Sequence, residues 1–422
     1  MEKYSEEAQA TFHFKNGDIY EGECQGFKPC GLGKMTYNDG RVSQVIWRGG
    51  KIEYEGELNN NGEPHGKGEW KYPDGPYKGD WMNGKKHGRG TRKWPDGDSY
   101  EGEWKDDIKH GTGTQKWSNG DSYEGGWKDG KLNGKGYYKC RYGNSYEGEY
   151  KDDEKNGKGT LNWSDGGSYE GEWKDGQMHG TGTRKWPSGD SYEGEWKHDV
   201  RHGKGTYKWA NGRSYEGGWK DVEMNGNGTF KWPSGSSYTG GFKDGFRNGK
   251  GIYKMGNGDV YTGFFSAGKS GGKHGKGVMT YANKDVYDGK WRNDLKDGKG
   301  TMTYANKDVY IGEWKEELKH GNGVMTYHNG DKYTGRFRND KMHGHGTLEY
   351  AAGDYVKVSG EWIDGEKWGK FECIPRAIPV SLNFEKDEIK SDQNVKREAP
   401  YDNDTDAEDS PPSKRRNVSV SP

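Results

Sequence analysis

Apolar and polar residues alternate along much of this chain, in short runs broken by turn-forming residues. In Tyr192-Glu193-Gly194-Glu195-Trp196 the alternation sets Tyr, Gly and Trp on one side and both glutamates on the other, the period of two that a strand requires. A polar stretch from Lys197 to His202 reads as a turn. The next run, Gly203-Lys204-Gly205-Thr206-Tyr207-Lys208-Trp209, alternates again, with Lys204, Thr206 and Lys208 on the polar side. Ala210-Asn211-Gly212 then reverses the chain, as Pro95-Asp96-Gly97 and Pro187-Ser188-Gly189 do in other copies, because Pro fixes φ and Gly supplies a positive one. Each unit predicts a β-hairpin of two short antiparallel strands.

The hairpin is repeated. Its opening tyrosine recurs every 23 residues at Tyr54, Tyr77, Tyr100, Tyr123, Tyr146, Tyr169, Tyr192, Tyr215, Tyr238 and Tyr261. After a step of 26 it resumes at Tyr287, Tyr310 and Tyr333, and an earlier copy stands at Tyr20. The fifth phase is apolar in all of them, from Cys24 and Leu58 through Trp81, Trp104 and Trp127 to Phe337. Such a period marks an array of like supersecondary units, each burying its apolar face against its neighbours. Strands about 4.8 Å apart make a two-strand unit roughly 9.6 Å long, so fourteen units reach on the order of 130 Å before twist.

Glycine on the aromatic side leaves bare backbone on which a ring can lie. Each buried aromatic contributes roughly 1.5–3 kcal/mol. Glutamate on the first strand facing lysine on the second would add about 0.2–1 kcal/mol per cross-strand pair.

Composition changes this picture in one respect. A hydrophobic content of 27% with 74 glycines resembles a disordered chain. The 18 Trp and 29 Tyr, held at fixed phase, argue for order instead. Charge is balanced at 66 basic against 67 acidic residues, which speaks against a nucleic-acid protein. Met1 to Gln9 is polar and acidic, unlike a secretory signal, and no apolar run reaches membrane-spanning length. Cys24, Cys30, Cys140 and Cys373 lack paired metal spacing. The expected setting is reduced and cytoplasmic.

The unit Tyr-Glu-Gly-Glu-Trp, polar turn, His-Gly-x-Gly, aromatic and Asp/Asn-Gly is similar to the MORN repeat (membrane occupation and recognition nexus). The resemblance spans residues 16–370. Ser43-Gln44-Val45-Ile46-Trp47 departs from it, lacking the Tyr and Gly, and Tyr54 follows after only 11 residues; at the far end Tyr355 to Trp362 keeps only Gly360-Glu361-Trp362. The resemblance implies an elongated twisted β-ribbon with an aromatic-lined groove, for which Trp104, Trp127, Trp173, Trp196 and Trp219 are the candidate residues. It also implies scaffolding at cytoskeletal collars, cilia or flagella, membrane-contact platforms, and regulatory arrays joined to lipid kinases or methyltransferases. Only Phe371 to Pro422 lies outside the array, too short for either catalytic domain.

Candidate chemistry reduces to structure. His65, His87, His110 and their equivalents share a phase with Asn133, Asn156 and Asp297, and copies roughly 9.6 Å apart cannot share an ion ligated at about 2 Å. They read as turn residues. Pairs such as Gly111-Thr112-Gly113 precede a strand and not the helix that a phosphate loop needs. Repeated glutamates such as Glu193 and Glu195 read as a solvated face, so no enzyme, metal or cofactor is expected. Lys105, Lys128 and Lys151 follow the aromatic phase, but Asp106, Asp129 and Asp152 offset them, which weakens attraction to a membrane.

The expected organisation is all-β: an elongated twisted ribbon of about 14–16 antiparallel hairpin repeats with a disordered C-terminal tail. Residues 1–15 form an N-terminal segment in which Ala10 to Phe14 is an edge strand. The array spans 16–370, irregular at 41–54 and with a loop insertion at 266–273. Residues 371–384 form a cap, and 385–422 a disordered charged tail with 7 basic and 10 acidic residues. Ser410 and Ser421, each before Pro, are candidate phosphorylation sites, and Lys414 to Arg416 is a weak nuclear-import patch. The expected function is a non-catalytic scaffold binding protein partners along its ribbon, in a cytoskeletal or ciliary structure. The alternatives are a phosphoinositide platform and a regulatory chain acting in trans on an enzyme. A homodimer through one end is expected, because the terminal strand edges need cover.

Overall fold

Two kinds of turn, alternating along the chain, decide the architecture. In Lys105-Asp106-Asp107-Ile108 both central residues have positive φ, 48° and 71°, and Lys105 lies opposite Ile108 in the ladder. That is the type I′ signature, whose twist matches flanking strands and which favours Asp, Asn and Gly. The other turn spans Trp94 to Asp98, with the Trp94 N–H donating to the Asp98 carbonyl at 2.9 Å and Gly97 at φ 99°. Every hairpin therefore pairs with the next, and the sheet never closes.

The computed structural model describes residues 8–266, 268, 271–375 and 380–382. Among these there is no helix, and thirty-three strands run from β1 (Ala8–His13) to β33 (Val380–Leu382). Each inner strand pairs antiparallel with the strands before and after it in sequence, and β1 and β33 pair with β2 and β32. The result is one open, elongated sheet.

Glycines line up across the ladder: Gly102 opposite Gly113, and Gly113 opposite Gly125. On one face the Tyr100 ring lies over this stripe, so that a Cβ on Gly113 would overlap it. The Tyr100 hydroxyl donates to the Glu103 carbonyl at 3.0 Å. Trp104 stands edge-on to Tyr100 of its own unit at 5.1 Å and to Tyr77 of the unit before at 5.4 Å. Its indole N–H donates to the Gly90 carbonyl at 3.1 Å. From Tyr54 onward, repetition yields a continuous aromatic spine that reaches Trp362, each ring covering the seam between two units. Edge-to-face geometry adds about 0.5–1.5 kcal/mol per pair beyond burial.

Both edges are tied as well. Beside the spine, the Asp107 N–H donates to the Lys86 carbonyl at 3.0 Å, and the Lys86 N–H donates back to the Asp107 carboxylate at 3.0 Å. On the opposite edge Asp98 accepts from Ser118 N–H at 2.8 Å and Asp121 from Arg141 N–H at 2.9 Å. Each turn thus satisfies backbone groups of a neighbouring unit.

Two local expectations are corrected. The polar stretch from Lys197 to His202 is not all turn. Only His198 and Asp199 have positive φ, the strand resumes at Val200, and His202 sits within it opposite Glu195. Glu103 does not simply face solvent. Its carboxylate accepts from the Thr112 N–H at 3.1 Å and the Thr112 hydroxyl at 2.7 Å, closing the bulge between His110 and Gly113. These hydrogen bonds hold its carboxyl below the usual glutamate range.

Residues 41–54, expected to be irregular, form a hairpin of β4 (Val42–Arg48) and β5 (Lys51–Leu58) that breaks the phase of the repeat. The 11-residue step is a single strand, half a unit. Ile46 lies opposite Tyr54, and Trp47 opposite Ile52, with a bulge between. Neighbours along a strand face opposite sides, so the core changes face here. Tyr20, Met35 and Val45 with Trp47 and Ile52 form one cluster; Ile46 joins the other, which begins at Tyr54.

At the far end β31 (Tyr355–Ile363) pairs with β32 (Glu366–Pro375), placing Phe371 opposite Gly360. The Phe371 ring takes the place a tyrosine holds elsewhere and meets Trp362 edge-on at 5.6 Å. β33 then pairs with β32 over residues 371–373. The inserted loop is absorbed in the turn, since Gly263 still lies opposite Gly277. Residues 267, 269 and 270 and the tail positions Ser410, Lys414 to Arg416 and Ser421 lie outside the described residues.

Candidate binding groove

The five candidate tryptophans line no groove. Trp104, Trp127, Trp173, Trp196 and Trp219 are only 4–6% exposed, because each is sandwiched between consecutive spine tyrosines. The tyrosines are more buried still, and loss of solvent raises their hydroxyl pKa values well above the usual range. The spine's surface is consumed by packing.

The open groove runs along the opposite face. Over residues 135–229 its floor is the glycine stripe, including Gly136, Gly148, Gly159, Gly171, Gly182 and Gly194. Glu147, Glu170, Glu193 and Glu216 stand along it in successive units, with Thr160, Thr183, Thr206 and Thr229. The register pairs these two rows: Glu170 lies opposite Thr183, and Glu193 opposite Thr206. The glycines lack a side chain for the sake of the tyrosine on the far face. On the near one the floor is backbone because alternation turns this phase away from it and leaves the glutamate and threonine rows as walls.

Groove character changes along the chain. In the stretch around residues 274–335 the walls become Lys276, Lys290, Lys299, Ile311 and Val324. Ile252, Phe264 and Ile311 are 40%, 41% and 56% exposed, where most earlier units carry glutamate, threonine or glycine at the same phases, with the exposed Tyr137 among the exceptions.

On the spine face a second row went unread in the sequence. Lys86, Lys109, Lys155, Arg201, Arg247, Lys296 and Lys319 come two residues after the second positive-φ residue of the I′ turn, Lys273 follows the inserted loop, and all lie against the rings. The Lys109 ammonium is 4.8 Å from the Trp127 ring and 5.1 Å from Tyr100, a cation–π arrangement. The acid that balances such a cation comes from the next unit's turn: Lys86 pairs with Asp107 at 2.9 Å and Lys296 with Glu317 at 3.2 Å. Lys109 faces Gly130 instead and donates to the neutral Gln115 amide oxygen at 2.6 Å. Burial pushes its pKa down to about 8. Leu132, Met178, Met224 and Met342 share the phase, and that apolar–basic alternation was the signal available.

Among the described residues no group of three or more His, Cys, Asp and Glu could hold a metal ion, and no helix is long and apolar enough to cross a membrane.

The MORN repeat family model matches fourteen times, at residues 20–40, 54–76, 77–99, 100–122, 123–145, 146–168, 169–191, 192–212, 215–237, 238–260, 261–286, 287–309, 310–332 and 333–355. A comparison with curated proteins found no match. Among solved structures, the TCP10 domain of Danio rerio CPAP is 8% identical at a TM-score of 0.28, covering 47% of this chain and 93% of that one. The Drosophila melanogaster SAS-4 TCP domain, solved with a proline-rich motif of Ana2, is 12% identical at 0.24, covering 42% and 86%. Virginiamycin B lyase from Staphylococcus aureus is 11% identical at 0.11, covering 77% and 94%. At such scores these likenesses assign nothing.

Proposed function

Since this chain belongs to the MORN-repeat family, we propose that it is a non-catalytic, elongated scaffold that binds extended segments of protein partners along its glycine-floored groove. One observation carries the reading: packing consumes the aromatic spine, whereas the groove on the other face stays open from unit to unit. A partner strung along it would meet the same backbone and the same glutamate–threonine rows in successive repeats. A repeated surface of this kind suits scaffolding at a cytoskeletal or ciliary structure in the cytoplasm. Regulation of an enzyme in trans would use the same groove.

Affinity purification of the full chain against a Glu147→Lys, Glu170→Lys, Glu193→Lys variant tests the reading. These side chains lie on exposed groove walls and make no spine contact, so the variant should keep its β-type circular dichroism. Partners recovered with the native chain should be lost from it. Undiminished recovery would move binding elsewhere. A phosphoinositide platform is the second reading, supported by the row Lys276, Lys290 and Lys299. Flotation with phosphoinositide vesicles, lost on changing those three lysines, would favour it.

A further inference from the structure

The groove carries a surplus of positive charge at one place, where Lys276, Lys290, Arg292 and Lys299 line it with Asp288, Asp297 and Glu313. Lys276 on β24 (Lys273–Thr280) lies directly opposite Lys290 on β25 (Val286–Arg292). The corresponding pairs in earlier units are Lys135 with Glu149 and Lys158 with Glu172. Like charges directly opposite destabilise a sheet. Lys299 on β26 (Leu295–Thr303) extends the row and faces Glu313 in register, as Lys135 faces Glu149, so the like-charged pair is Lys276 with Lys290. All three are exposed, and the exposed Ile311 lies beside them in the same groove. Three cations from three successive strands, over bare backbone, suit an extended anionic segment.

The chain contains one. Asp402-Asn403-Asp404-Thr405-Asp406-Ala407-Glu408-Asp409 holds five acids and no base. Asp402, Asp404, Asp406 and Glu408 fall at every second residue, so an extended backbone would put all four carboxylates on one side. Their spacing would be roughly 6.6 Å, against about 4.8 Å between the strands bearing the lysines, a mismatch that long lysine side chains absorb. Reach is sufficient. β26 lies seven strands before β33, on the order of 34 Å along the sheet, while the twenty residues from Leu382 to Asp402 extend to roughly 66 Å.

We propose that residues 402–409 dock in cis on the Lys276–Lys290–Lys299 stretch of the groove, so that the chain covers part of its own recognition surface. The inference rests on the groove being that surface, and it adds a regulation: an acidic partner for this stretch must displace the segment.

Carbodiimide cross-linking of the full chain, read by mass spectrometry, tests it. Links are expected from Lys276, Lys290 or Lys299 to the tryptic peptide containing Asp402 to Asp409. They should be lost in an Asp402→Asn, Asp404→Asn, Asp406→Asn, Glu408→Gln variant, and also at 1 M salt, where the screening length falls to about 3 Å. A mixture of isotopically light and heavy chains should give same-isotope links. Absent links, links only to Asp288 or Glu313, or mixed-isotope links, the last meaning a second copy as occupant, would overturn the proposal. Links that form while the Glu147, Glu170 and Glu193 variant still recovers every partner would leave docking standing and sink the scaffold reading instead.

Discussion

Glycine, tyrosine and tryptophan act as one set in this protein, and substituting any of them tests the set. Gly113→Ala would drive a methyl group into the Tyr100 ring and hydroxyl, which the Trp104 and Trp127 rings on either side prevent from moving away. Trp196→Ala removes a ring held between Tyr169 and Tyr192 and should cost about 3–5 kcal/mol, as large core truncations do. Hydrogen exchange should show the loss concentrated around residues 169–240, since repeats couple to their neighbours; uniform loss along the sheet would contradict this. Lys109 makes a separate prediction. Its pKa is depressed to about 8 in the folded chain and near 10.4 when unfolded. Between those values the unfolded state binds more protons, so this residue makes stability rise with pH. Lys109→Met, which copies Met178 and Met224 at the same phase, should remove that rise in urea melts compared between pH 8 and 10.

At the scale of the element, turn residues act across units. Asp199 tolerates positive φ at 64°, and its carboxylate also accepts the Met178 N–H of the preceding unit at 2.8 Å. Asp199→Gly should keep the turn and lose only that bond, on the order of 1 kcal/mol. Asp199→Val should cost more, because a β-branched residue at positive φ is strained; equal melts for the two would dismiss the distinction. The half-unit step at β4 and β5 obeys the same local chemistry, with Gly49 and Gly50 supplying its turn. In the sequence it reads as an irregularity because Ser43 and Val45 stand where Tyr and Gly belong. Without a tyrosine no glycine is required, and a buried valine fills the space.

Over the whole molecule, each strand pairs only with its neighbours in sequence, and the two terminal strands leave hydrogen-bonding edges. β33 covers residues 371–373 of β32, while β1 has a partner on one side only among the described residues. Unpaired edges invite pairing with another chain. We expect a dimer through the β1 end: light scattering at micromolar concentration should give twice the 47.6 kDa chain mass, and deletion of residues 1–40 should return it to monomer. Small-angle scattering should give a maximum dimension far above that of a compact chain of this length. A monomer, or a compact particle, would count against each in turn.

The repeat, the hairpin and the identity of the buried phase were legible in the residues, because strand alternation and turn chemistry are local and each copy restates them. Placement of the groove was not. Alternation shows that Tyr, Gly and Trp share a face, but whether that face is open depends on Trp104 lying against Tyr77, one unit back. The same holds for Glu103, whose hydrogen bonds run to a bulge formed by the opposite strand, and for Lys109, whose missing counter-charge is Gly130 of the next unit. The change of core face at Ile46 and Trp47 depends on a bulge in the pairing. Period and phase are properties of single strands, whereas exposure and charge balance arise between strands, and only the assembled sheet decides them.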